Sequence, residues 1–168
     1  MTVFELTARA ALARPRSEVF AFFGDAANLE ALTPPWLGFE IRTPRPIAMG
    51  QGALIDYRIS LRGIPVSWRT EITHWEPPHR FVDEQLRGPY RLWVHEHTFE
   101  EQPDGTTLAG DRVRYAVLGG RLVNRLLVER DLRKIFAFRE AKMSELFGGR
   151  SVEPVRIREV SDSEAAGG

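Results

Sequence analysis

A chain of 168 residues fits one domain with room for a real hydrophobic core. Its 43% hydrophobic and 27% charged residues are those of an ordinary globular protein, with Lys plus Arg (23) equal to Asp plus Glu (23). Zero net charge argues against a phosphate-tracking surface, so no nucleic-acid partner is expected, and the lack of cysteine excludes disulfides, thiolate nucleophiles and thiolate metal sites.

No apolar run approaches the ~20 residues needed to cross a bilayer. The first ten residues alternate polar and apolar and lack a signal-peptide core. A soluble, cytoplasmic protein is the expectation.

In chain order, Thr2 to Ala11 alternates as a first strand, with Phe4, Leu6, Ala8 and Ala10 on one side. Pro15 suits the first turn of a short helix through Val19, Phe20 and Phe23. Asp25 can cap a second, from Ala26 to Leu32, and Pro34-Pro35 ends it. Phe39 to Arg42 reads as a short strand before a Pro-rich loop.

Ala53 to Leu61 and Ile64 to Trp75 form the clearest hairpin, turning at Arg62-Gly63. Pairing Leu61 with Ile64 sets Ile55 opposite Thr70 and Tyr57 opposite Trp68 on one face, and Asp56 opposite Arg69 on the other. Further strands are expected over Arg80 to Leu86, Tyr90 to Glu101 and Thr106 to Leu118, the last two joined by the turn Pro103-Asp104-Gly105.

Gly119-Gly120 and Gly148-Gly149 bound a helix from Arg121 to Phe147. Its stripe of Leu122, Leu126, Leu132, Phe136, Met143 and Phe147 should face a core. At about 1.5 Å per residue it reaches roughly 40 Å, enough to span a small sheet. Arg121, Arg125, Arg130, Arg133 and Lys134 read as its solvated face. Residues 1–149 are expected to form the domain. Residues 150–168 are expected to form a polar, flexible tail, although Val155 to Val160 could add an edge strand.

A strand, two short helices, about six more strands and one long C-terminal helix describe an α+β protein: a curved antiparallel sheet of about seven strands around that helix. This order resembles the helix-grip fold of the SRPBCC superfamily (START-domain, pollen-allergen and polyketide cyclase/dehydrase relatives). Phe20 to Leu29 resembles the family's first helix and its Asp-started second, and Leu32-Thr33-Pro34-Pro35-Trp36 the segment that follows. Trp75-Glu76-Pro77-Pro78-His79-Arg80-Phe81 resembles its W-x-P-P-x-x-F turn, and Asp104-Gly105-Thr106 with Asp111 to Tyr115 its final hairpin. The resemblance covers roughly residues 2 to 148 and is closest to the bacterial cyclase/dehydrase-like group. It implies an internal cavity, and it brings no universal catalytic motif.

The cavity lining expected from alternation includes Tyr57, Trp68, Thr70, Ile72, His74, Phe81 and Gln85 on the sheet, with Val113 and Tyr115 from the last strand. Leu132, Phe136 and Met143 come from the helix, and Trp36 and Phe39 from the front loop. Such a set is mainly apolar with a few polar groups, as a ligand pocket requires. His95-Glu96-His97 is the sharpest local feature, since residues i and i+2 of a strand point the same way. If the histidines face inward, Asp83 or Asp111 could orient an imidazole for acid–base work. If Glu96 faces inward beside Asp111, two close carboxylates would raise one pKa instead. The string resembles a cupin metal motif, but the second Gly- and His-bearing motif is absent, so no metal or cofactor is expected. Ser17, Ser60, Ser67 and Ser144 lie in no nucleophile-elbow context.

The leading expectation is binding of a small hydrophobic or amphipathic ligand, a lipid among the classes allowed. A cyclase/dehydratase-type enzyme using the same cavity and a protein-interaction module are the alternatives. A homodimer through an edge strand or the tail is open.

Overall fold

The structure is a computed structural model, and it describes residues 1–161 and 164. Its centre is one antiparallel sheet of eight strands in the order β2-β3-β4-β5-β6-β7-β1-β8. The strands are β1 (Val3–Leu12), β2 (Glu40–Ile41), β3 (Leu54–Leu61), β4 (Ile64–Glu76), β5 (Arg80–Arg87), β6 (Leu92–Glu101), β7 (Thr107–Ala116) and β8 (Gly149–Val160). Helix α1 (Arg16–Phe23) follows β1. A 3-10 helix (Ala26–Leu32) comes next, where Asp25 accepts a hydrogen bond from the Ala27 N–H as expected of a cap, and then a 3-10 turn (Pro35–Leu37).

The β3–β4 hairpin has the expected register, with Leu61 opposite Ile64, Tyr57 opposite Trp68 and Ile55 opposite Thr70. On its outer face Arg69 grips Asp56 through two hydrogen bonds of 2.7 and 2.9 Å. The inner faces and the long helix enclose two apolar clusters. One centres on Phe20, Phe23, Phe81, Phe99 and Phe147, the other on Leu6, Val113, Tyr115, Leu132 and Phe136.

The C-terminal helix is continuous from 120 to 147, but its second turn is wide. Helix α2 (Gly120–Val123) passes through a π-helical turn (Asn124–Val128) into α3 (Glu129–Phe147). The extra residue in that turn rotates the chain before Glu129 relative to the rest. Leu122 and Leu126, expected on the core stripe, are therefore 67% and 57% exposed. Asn124 takes the inward position and accepts a 2.8 Å hydrogen bond from the Tyr115 hydroxyl. From Leu132 onward the stripe holds, with Leu132, Phe136, Met143 and Phe147 buried.

The expected flexible tail from residue 150 is corrected by β8, which lies antiparallel along β1 from Leu12–Gly149 to Val3–Val160. Residues 162, 163 and 165–168 of that segment fall outside the described residues. Gly148 and Gly149 make the return from α3 possible, both with positive φ (68° and 117°). A Cβ on Gly149 would sit 1.9 Å from the Ala11 carbonyl oxygen, so no other residue fits there. Charge also ties β8 down, because the buried Glu5 carboxylate accepts from Arg112 (2.7 Å) and Arg158 (2.8 Å). Among the described residues no helix is long and apolar enough to cross a membrane.

Candidate functional site

The sheet's concave side and α3 enclose a cavity of about 180 Å³. A cavity of about 150 Å³ accepts a benzene-sized ring. Its walls include Tyr57, Trp68, Thr70, Ile72 and Phe81 from the sheet, Phe39 from the front loop, and Leu132 and Phe136 from α3. Asp83, His95 and His97 also line it.

Six other expected lining residues lie elsewhere. His74 is exposed because the β4–β5 register shifts between Ile72 and His74, and the bulge turns Trp75 inward against Phe20 and Phe81. Gln85 clamps the β5–β6 turn, donating to the Tyr90 carbonyl at 2.7 Å and accepting from the Tyr90 N–H at 3.2 Å. Val113 and Tyr115 are fully buried beneath the cavity wall, and Met143 packs in the aromatic cluster near α1. Trp36 is 58% exposed and meets Phe138 edge-on at 5.9 Å, over the outside of the cavity.

The polar floor comes from adjacent strands. On β6, Trp93, His95, His97 and Phe99 face inward. Glu96 faces outward, where Arg80 donates to it at 2.6 Å, so the pairing of Glu96 with Asp111 does not occur. Register places His95 opposite Asp83 on β5 and Val113 on β7, and His97 opposite Phe81 and Asp111. Diagonal bonds result. His95 Nε2 lies 2.8 Å from Asp111 Oδ1, and His97 Nε2 lies 2.8 Å from Asp83 Oδ2. The two imidazoles stack at 3.7 Å, and His97 also stacks on Phe81 at 4.2 Å.

Arg139 of α3 completes this floor, and the sequence reading passed it over. Its Nε donates to Asp111 Oδ2 at 3.2 Å and its Nη2 to Oδ1 at 3.1 Å, while Nη2 also lies 3.3 Å from His97 Nδ1. The guanidinium sits 5.1 Å from the Phe23 ring centre, and the residue is 6% exposed. The signal was present: position 139 falls three residues after Phe136 and four before Met143, on the core stripe itself.

Electrostatics follow from this packing. Burial works against the charge on Asp111, but the Arg139 guanidinium and the His95 bond outweigh it and hold its carboxyl well below the usual range. Burial likewise opposes the charge on Asp83, which the His97 bond, the two imidazoles and Arg139 keep below the ordinary value. His97 is pushed down to about 4, by burial first and by His95 second, against the pull of Asp83. Burial, with Asp83 nearby, drives the Tyr57 hydroxyl well above its usual value. At neutral pH the floor thus holds two carboxylates, one guanidinium and a neutral His97.

Asp83, His95 and His97 bring potential ligand atoms within 4.8 Å of one another. In this arrangement His97 Nε2 is bonded to Asp83 Oδ2 at 2.8 Å, His95 Nδ1 stands 3.9 Å from the same oxygen, and the Arg139 guanidinium lies 3.3 Å from His97 Nδ1. An imidazole with an orienting carboxylate can carry a proton to or from a bound molecule, and an apolar wall can hold that molecule's body.

The structure of the ZhuI aromatase/cyclase from a Streptomyces species is similar, with TM-score 0.66 and 14% identity over 85% of this chain and 93% of that one. Protein Ms6760 from Mycobacterium smegmatis has TM-score 0.62 and 19% identity over 84% and 89% of the two chains. Ara h 8.0201 has TM-score 0.60 and 15% identity over 85% and 99%. At these identities the likeness establishes the helix-grip fold. No curated protein matches the sequence. The sequence model described as "Polyketide cyclase / dehydrase and lipid transport" matches residues 12–141, which include the strands lining the cavity and most of α3. With that match joined to the fold, the chain belongs to the polyketide cyclase/dehydrase and lipid transport family of the SRPBCC superfamily.

Proposed function

We propose that the protein binds a small hydrophobic or amphipathic molecule between the sheet and α3, its apolar body against Tyr57, Trp68, Leu132 and Phe136 and its polar end at Asp83. The observation that carries this reading is the cavity of about 180 Å³, apolar along its walls and polar at one floor. An interior kept open costs dispersion contacts that tight packing would regain, so a fold that keeps one has a use for the space. The same opening weighs against a pure interaction module, whose interior has no such need.

Native mass spectrometry of the purified protein, repeated after denaturation, tests the proposal. An extra mass of a few hundred daltons or less in the native sample, lost on denaturing, is the expected result. A clean apo mass, with no shift on adding aromatic or lipid probes, would sink it.

A second reading, acid–base catalysis on the bound molecule, is supported by the two imidazole–carboxylate pairs at 2.8 Å. His97 is the imidazole bonded to Asp83, the carboxylate that lines the cavity. Turnover of a bound compound that is lost in His97→Gln, while binding persists, would favour this reading over simple carriage.

A further inference from the structure

Asp83 differs from every other charged group of the floor in what it leaves unused. Arg139 is spent on Asp111, with both Asp111 oxygens receiving a guanidinium N–H. Asp83 has no guanidinium contact among the described residues, and its Oδ2 is bonded by a neutral imidazole. Its Oδ1 has only the Thr70 hydroxyl, 3.5 Å away, and that hydroxyl already donates to the Glu84 carbonyl at 3.0 Å. One hydroxyl proton cannot serve both acceptors well, so Oδ1 is an under-filled charged acceptor.

It also faces the open space. Asp83 lines the cavity and keeps 18% of its side chain accessible, against 8% for Arg139. Tyr57, Trp68, Tyr90 and Trp93 line the same cavity. Trp68 stacks on Tyr57 at 5.5 Å and meets Trp93 edge-on at 5.5 Å, with Tyr90 4.7 Å from Trp93. A carboxylate with one under-filled oxygen in an aromatic-lined cavity suits a cation, and it repels an anion in a poorly hydrated space.

Building on the proposed binding function, we infer that the cavity selects amphipathic amines: an apolar or aromatic body carrying a protonated primary or secondary amine, whose N–H bonds go to Asp83 Oδ1. Carboxylic acids of the same shape are excluded by the same atom. The small volume limits the body to about one or two rings.

Three shape-matched probes decide this: 2-phenylethylamine, 2-phenylethanol and 3-phenylpropanoate, titrated by calorimetry at about pH 7.5, where the amine is cationic and the acid ionised. Expected affinities fall in that order, with the amine at least tenfold tighter than the alcohol and the acid weakest. In Asp83→Asn the amine should lose about tenfold while the alcohol changes little. Equal binding of amine and alcohol, or preference for the acid, would overturn the amine selectivity and leave cavity binding standing. Failure of all three to bind at millimolar concentration would overturn both.

Discussion

The guanidinium of Arg139, on the C-terminal helix, and the carboxylate of Asp111, on β7, form a buried two-point ion pair of 3.1 and 3.2 Å, each residue under 10% exposed. Helix and sheet are therefore joined through charge at the centre of an otherwise apolar interface.

Removing one partner should be severe. Arg139→Met leaves the buried Asp111 with no charged partner and only its His95 bond, and breaking a buried ion pair in this way typically costs about 3–5 kcal/mol. Arg139→Met with Asp111→Asn should recover a large part of that loss, since neither charge is then stranded. Urea denaturation of the two single variants and the double variant measures the coupling, and simple additivity would refute it.

His97 makes stability depend on pH in a definite direction. Its folded value, about 4, lies below the ordinary 6.5, so the unfolded chain binds the proton first as pH falls. Its contribution is complete above about pH 6.5 and is lost on acidification towards pH 4, amounting to about 3 kcal/mol. The lowered carboxyls of Asp83 and Asp111 extend the loss below the ordinary carboxylate range, where the unfolded chain takes up their protons first. Thermal melts from pH 8 to 4 should show the slope, and His97→Gln should flatten it between pH 6.5 and 4.

Positions before or within the π-helical turn and those after it should respond to mutation by very different amounts. Leu122→Ser and Leu126→Ser change exposed positions and should each cost under about 0.5 kcal/mol. Leu132→Ala, at 1% exposure, should cost about 2–5 kcal/mol. Equal losses at these positions and at Leu132 would mean that the π-helical turn does not rotate Leu122 and Leu126 out of the core.

That contrast shows where the sequence was readable. Strand alternation gave the β3–β4 register pair for pair, because a one-residue slip would have turned Tyr57 and Trp68 into water. Local patterns could not announce the two places where one residue is inserted. The bulge before His74 reverses a strand's facing, and the turn at Asn124–Val128 rotates a helix, and both depend on contacts made elsewhere in the fold. The facing of His95 and His97 was open for a related reason, since both sides of β6 carry titratable residues. Arg139 was missed because charge was taken to mean solvent, although its position lay on the core stripe.

Truncation should show that β8 is integral. A chain ending at Gly148 loses the β1 ladder from Val3 to Leu12 and strips Arg158 from the buried Glu5. We expect a large fall in melting temperature and reduced solubility, read by scanning calorimetry and light scattering. Unchanged melting would show that the sheet is complete with seven strands.

Beyond its pairing with β1, β8 forms one border of the sheet. Its free side is the rim of the sheet, a natural template for growth by another strand. Pro154 lacks the N–H such growth would need and sits where the β1 register already shifts, opposite the stretch between Thr7 and Arg9. Charged side chains of both signs, Arg150, Glu153, Arg156 and Glu159 among them, line the same strand. The opposite rim is β2, only two residues long. Both borders of the sheet are thus poor templates for a further strand: one is very short, and the other is interrupted by a proline at a register shift.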